Sequence, residues 1–210
     1  MEKAQILEQI EKSVGSCRKC RLYEKAKNAV PGEGNINAEL IFVGEAPGET
    51  EDLTGRPFVG RAGKLLESLL SDISMTRKDV WIGNIIKHRP PNNREPMEDE
   101  IEACVPYLAL QLKVLNPVLI VTLGRFAMNF FYKEGKITRD HGQLIRQEHF
   151  SVFPVYHPAA ALRNPEFAKV LRDDFLKIPV VMKSLKEHTI DGYDNGGIKS
   201  EGEGQLGLGL

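Results

Sequence analysis

Three short strings and one cysteine pattern hold the residues best suited to chemistry. The first string is Gly44-Glu45-Ala46-Pro47-Gly48-Glu49-Thr50-Glu51-Asp52, which runs on through Leu53 and Thr54 into Gly55-Arg56-Pro57-Phe58-Val59-Gly60. Glycines at a strand end let the backbone approach a small planar ligand. Glu45 and Glu51 can orient a water or bond a base edge, and Phe58 offers a ring for stacking. Short Gly-rich strings are common, so the same residues also read as a turn with solvated acids. The second string ends a strand on Asn84, whose amide can donate to a carbonyl and accept from a neighbouring ring N–H. A lone Asn there is more often a turn former. The third is His157-Pro158-Ala159-Ala160-Ala161-Leu162-Arg163. His157 can donate to an oxygen that gains charge as a bond breaks, Leu162 can wedge into a base stack, and Arg163 can neutralise a phosphate. Taken alone, a histidine of this kind is more often structural.

The chain has three cysteines, Cys17, Cys20 and Cys104. An odd count argues against a disulfide framework, and C-x-x-C points to metal or redox chemistry. The loop from Lys87 to Arg94 has no acids. Lys87, Arg89 and Arg94 are its candidate phosphate contacts, as are Arg18, Lys19 and Arg21 around C-x-x-C; an ordinary solvated loop is the other reading.

The elements that must position these groups follow from hydrophobic spacing. A helix is expected over 2–14, a buried strand over 39–43, a helix over 61–72 and a second strand over 80–84. Pro96 starts a helix to about residue 115, broken or kinked near Pro106. A third strand over 117–123 leads through Gly124 into a helix over 125–132. Residues 137–150 suggest a small hairpin or irregular excursion, 151–156 a fourth strand, the HPAAALRNP string a loop, and 166–186 a final helix. Near-continuously apolar strands alternating with helices indicate an α/β fold with a four-stranded, mostly parallel sheet covered on both faces. Ligands sit outside the carboxyl ends of such strands, and all three strings fall there.

The 210 residues suit one domain, expected over 1–187, with residues 188–210 as a flexible Gly-rich tail. A net charge of −1 gives no overall pull toward nucleic acid, so any DNA contact must be local. No apolar run of roughly 18 residues is present to cross a membrane. The charged N-terminal helix does not read as a signal peptide, so a cytoplasmic location is expected.

The order and co-occurrence of GEAPG…EDxxGRPFVG, NIIKxRPPNNR and HPAAALR closely resemble the family 4 uracil-DNA glycosylases, the iron–sulfur branch, over roughly residues 15–180. The resemblance implies a three-layer α/β/α sandwich and a monomeric prokaryotic enzyme, bacterial or archaeal. It would flip uracil out of single- or double-stranded DNA and hydrolyse its glycosidic bond. Phe58 would stack on the base, Asn84 would read its edge, Glu51 would lie near uracil C5, and His157 would stabilise the leaving anion through O2. Glu45 and Asn93 would support the site and its water, and the backbone of Gly44 and Ala46 would contact the base. Ala46 stands where some superfamily members carry Asp, so no strong general base is evident; a largely dissociative reaction tolerates that.

The resemblance also implies a [4Fe–4S] cluster held by four cysteines. Cys17, Cys20 and Cys104 match three of those positions, and His88 stands at the fourth. His88 can ligate iron through a ring nitrogen; it can leave a labile three-iron cluster; or Cys3His can hold zinc. A covalently trapping, non-turnover protein of the same superfamily is the functional alternative, but RPPNNREP lacks that branch's basic insertion and nucleophilic histidine. His141 replaces the Arg common before Gly142. Gln205-x-x-Leu208 faintly echoes a sliding-clamp peptide without its aromatic pair.

Overall fold

The computed structural model describes residues 2–190. Four parallel strands form the centre: β2 (Leu40–Gly44), β3 (Trp81–Asn84), β4 (Leu119–Leu123) and β6 (Ser151–Val155). Two-residue strands, β1 (Glu33–Gly34) and β5 (Ile145–Arg146), pair antiparallel at the edges. The sheet therefore has six strands, in the order β1-β3-β2-β4-β6-β5, rather than the four expected. Two residues carry too little periodicity to reveal a strand, and pairing with β3 and β6 defines both additions.

Alternation along each strand assigns side chains to the two faces. Leu40, Phe42, Val121 and Phe153 pack beneath α3 (Arg61–Asp72) and α8 (Pro165–Ile190) with Leu66, Leu70, Leu171 and Phe175. Phe42 and Phe175 stack with ring centroids 5.6 Å apart. Ile41, Val43, Ile120 and Val152 face the other way, toward α4 (Glu98–Leu115) and α5 (Arg125–Phe131). The result is the three-layer α/β/α arrangement. Helix α1 (Lys3–Gly15) packs outside α4 through Ile10, Val14 and Tyr107.

Several boundaries differ from expectation. Helix α2 (Glu49–Thr54) occupies part of the first string, its first turn carrying Glu49, Glu51 and Asp52, which complement the helix dipole. Helix α4 begins at Glu98 and is continuous through Pro106. Residues Ile137–Asp140 form a one-turn α6 ahead of the β5–β6 hairpin. The HPAAALR string holds another single turn, α7 (Pro158–Ala161), started by Pro158. Helix α8 extends to Ile190; the remainder of the expected tail and the Gln205-x-x-Leu208 echo lie outside the described residues.

Candidate active site

At the carboxyl ends of β2 and β3 and the start of α7 lies a cavity of about 380 Å³. Glu45, Ala46, Glu51, Phe58, Asn84, Asn93, Arg94, His157 and Arg163 all line it. The three separated strings thus meet around one space. Gly44 ends β2 against two of the lining residues: a Cβ there would come within 2.5 Å of both Asn84 Oδ1 and the Phe58 ring. Only glycine lets β2 end between those two groups.

Asn84 is buried, and its Oδ1 has no hydrogen-bond partner. Leaving such an acceptor unpaired costs about 1–3 kcal/mol. The other buried orphan among the described residues, Thr122 Oγ1, does not line this cavity. Asn84 Oδ1 therefore awaits a donor, and a ring N–H has the right chemistry.

His157 has a defined tautomer. The Ala159 amide donates to Nδ1 at 3.0 Å, so the neutral ring carries its proton on Nε2, which has no partner among the described residues. Enclosure by surrounding atoms pushes the imidazole down to about 4, outweighing the opposite pull of Glu51, and Arg163 adds to the depression. At neutral pH His157 is thus an uncharged Nε2–H donor. Its ring centroid lies 5.9 Å from that of Phe58. Burial raises the Glu45 carboxyl; Glu95 adds to the rise and Arg125 opposes it. One oxygen of Glu51 is committed to the Phe58 loop, accepting from the amides of Val59 at 2.9 Å and Gly60 at 2.8 Å.

The candidate DNA contacts separate into three groups. Arg163 and Leu162 are exposed beside the cavity. Arg94 lines it, but its guanidinium is occupied by the buried Glu100 carboxylate at 2.6 and 2.8 Å. Arg89 braces Asn93 through a 2.8 Å bond from Nε to Oδ1. Lys87 does not face DNA at all. It is 1% exposed, and its ammonium donates to Asn84 O at 2.8 Å, Gln111 Oε1 at 2.7 Å and Pro31 O at 3.3 Å. Burial lowers its pKa to about 7. A basic residue in an acid-free loop reads as exposed, but here the aliphatic stem follows Ile85 and Ile86 into the core. His141 is likewise engaged, its Nδ1 2.7 Å from buried Asp174 and its ring 4.8 Å from Tyr156.

On the far side of β3, Cys17, Cys20 and Cys104 lie close enough to influence one another electrostatically. Burial is the chief reason the Cys20 thiol is raised and the Cys104 thiol reaches about 11. His88 is buried and shares with Cys17 a cavity of about 400 Å³. Burial also lowers His88, leaving it neutral with a lone pair for coordination. These thiols have little protein cation to ionise them, and a metal centre would supply that charge. Among the described residues, no three His, Cys, Asp or Glu side chains could hold one metal ion. A single tetrahedral zinc needs such convergence, whereas a polynuclear cluster binds its ligands on different irons. Three thiols and a neutral imidazole are a donor set that iron–sulfur centres use.

Residues 31–177 match the family described as the Uracil DNA glycosylase superfamily. The chain belongs to that superfamily. It is 47% identical to the type-4 uracil-DNA glycosylase of Saccharolobus solfataricus, over 89% of this chain and 91% of that protein. Against the type-4 enzymes of Sulfurisphaera tokodaii and Thermotoga maritima it is 48% and 42% identical, over 90% and 85% of this chain and 91% and 96% of theirs. The similarity expected from the motifs is therefore present across most of the chain. Among the described residues, no helix is long and apolar enough to cross a membrane.

Proposed function

We propose that this chain is a monofunctional DNA-repair glycosylase. It takes uracil, flipped from single- or double-stranded DNA, into the Phe58–Asn84–His157 cavity and hydrolyses its N-glycosidic bond. The unpaired Oδ1 of Asn84 at the base of that cavity carries the reading. It accepts from uracil N3–H, Nδ2 donates to O4, and Phe58 stacks on the ring. Nε2–H of His157 donates to O2, where negative charge gathers as the C1′–N1 bond breaks. The sugar becomes oxocarbenium-like. Water held by Glu45 and Asn93 then adds to C1′, and its proton passes to the uracil anion, leaving free base and an abasic site. The free oxygen of Glu51 crowds C5, where thymine carries a methyl. Arg163 and Arg89 contact phosphates, and Leu162 fills the vacated stack.

Cys17, Cys20, Cys104 and His88 would hold the [4Fe–4S] cluster, which when bound supplies positive charge for the thiolates and ties α1, β3 and α4 together. Iron and sulfide analysis of anaerobically purified protein tests this: His88→Ala should lower iron content and His88→Cys should keep it.

Release of free uracil from a uracil oligonucleotide tests the activity. Uracil and an abasic site are expected, with no release from the thymine counterpart. No release of uracil with excess enzyme, or a covalent protein–DNA adduct on a denaturing gel, contradicts turnover.

A further inference from the structure

We propose that Arg77 is a positioning residue for the base-stacking ring: its guanidinium holds the carbonyls of Pro57 and Phe58 and so fixes Phe58 beside Asn84. The inference rests on the reading of Phe58 as the stacking ring.

Phe58 has φ 51°, a left-handed conformation unfavourable for a bulky side chain. Such a residue persists only where its surroundings over-determine it. The surroundings here act on four successive residues. Arg77 Nη2 donates to Pro57 O at 2.7 Å and Nη1 to Phe58 O at 2.9 Å. Glu51 accepts from the next two amides, those of Val59 and Gly60. A cation therefore holds the carbonyls and an anion holds the N–H groups of the same loop. Below it, α3 begins so closely that a Cβ on Gly63 would stand 1.8 Å from Phe58 O. The loop has no room to relax downward.

Arg77 is itself held. Glu33 Oε1 accepts from its Nη2 at 2.6 Å, and the same carboxylate takes Arg56 at 2.8 and 2.9 Å. Glu33 lies on β1, so the short antiparallel edge strand anchors the arginine. A planar fork can serve two adjacent carbonyls and a carboxylate together; a lysine, with a single nitrogen, cannot reproduce that geometry. Arg77 touches neither substrate nor reacting atoms. It acts through the ring, and the ring acts on uracil binding.

The test is a double-mutant cycle. KM for a single-stranded uracil oligonucleotide and inhibition by free uracil are measured for wild type, Arg77→Met, Phe58→Ala and the double variant, with melting temperatures alongside. Arg77→Met should raise both constants about tenfold while kcat stays within about threefold. In the Phe58→Ala background the same change should shift them less than about twofold. Arg77→Lys should fall between. Should Arg77→Met fail to fold, Glu33→Gln, which loosens the guanidinium, carries the same cycle. Equal effects in both backgrounds, or unchanged constants with a lowered melting temperature, overturn the proposal. If Phe58→Ala alone binds uracil like wild type, the stacking reading fails, and the proposal with it.

Discussion

The two sides of β3 are built on opposite principles. On the cavity side, protein hydrogen bonds set the position of three principal groups: Ala159 fixes the His157 ring, Glu51 and Arg77 fix Phe58, and Lys87 fixes the Asn84 carbonyl. Among the described residues, Asn84 Oδ1 and His157 Nε2 remain unpaired there, on side chains that line the ligand space. On the cysteine side, buried Lys87 pulls the Cys104 thiol down, but burial outweighs it and raises both Cys20 and Cys104. One side is finished by the polypeptide and lacks only a substrate. On the proposed reading, the other is completed by a resident cluster. Loss of a pocket residue should therefore cost chemistry, and loss of a cysteine should cost stability.

The sharpest break of that contrast is Asn84→Ala or His157→Ala. Each should lower kcat/KM by about 10²–10³-fold while leaving the melting temperature within a few degrees. Steady-state uracil release with parallel calorimetry reads both. Cys104→Ser should do the reverse. Visible cluster absorbance falls and the protein loses about 3 kcal/mol, roughly 10 °C in Tm, while kcat well below Tm stays within about threefold.

His157 links the pocket to stability. Its folded pKa of about 4 lies below the ordinary value of 6.5, so the unfolded chain binds more protons between those values. Keeping the buried ring neutral costs nothing at neutral pH, but stability falls by about 3 kcal/mol as pH drops from 6.5 toward 4 and the unfolded chain takes up the proton first. Denaturant unfolding should show that loss in wild type and a flatter profile in His157→Ala.

Lys87→Met replaces a buried cation with an apolar stem of similar length. The change leaves Gln111 Oε1 and Asn84 O without their buried donor, so Tm should fall by several degrees. Freed from its anchor, Asn84 should cost about tenfold in kcat/KM. Glu45→Gln is the mildest test: the acid limb of the pH–rate profile, displaced upward because burial raises this carboxyl, should disappear.

Much of this was legible in sequence because the central strands are long apolar runs ending in glycine, asparagine or histidine. Gly44, Asn84 and His157 fall together because strand ends in a parallel sheet share a rim. What escaped has no local signature. Glu33 and Arg77 lie 44 residues apart and meet only because β1 pairs with β3. Lys87 looked like its loop neighbours, and nothing nearby in sequence shows that Gln111 and two carbonyls await it inside. The His157 tautomer was the accessible omission, since His followed by Pro is a legible helix start.

A crystal structure with free uracil bound tests the pocket most directly. The account predicts uracil N3–H within hydrogen-bond distance of Asn84 Oδ1, O2 against His157 Nε2, and the ring stacked on Phe58. Uracil bound elsewhere, or seated in the cavity with Asn84 Oδ1 still unpaired, contradicts it.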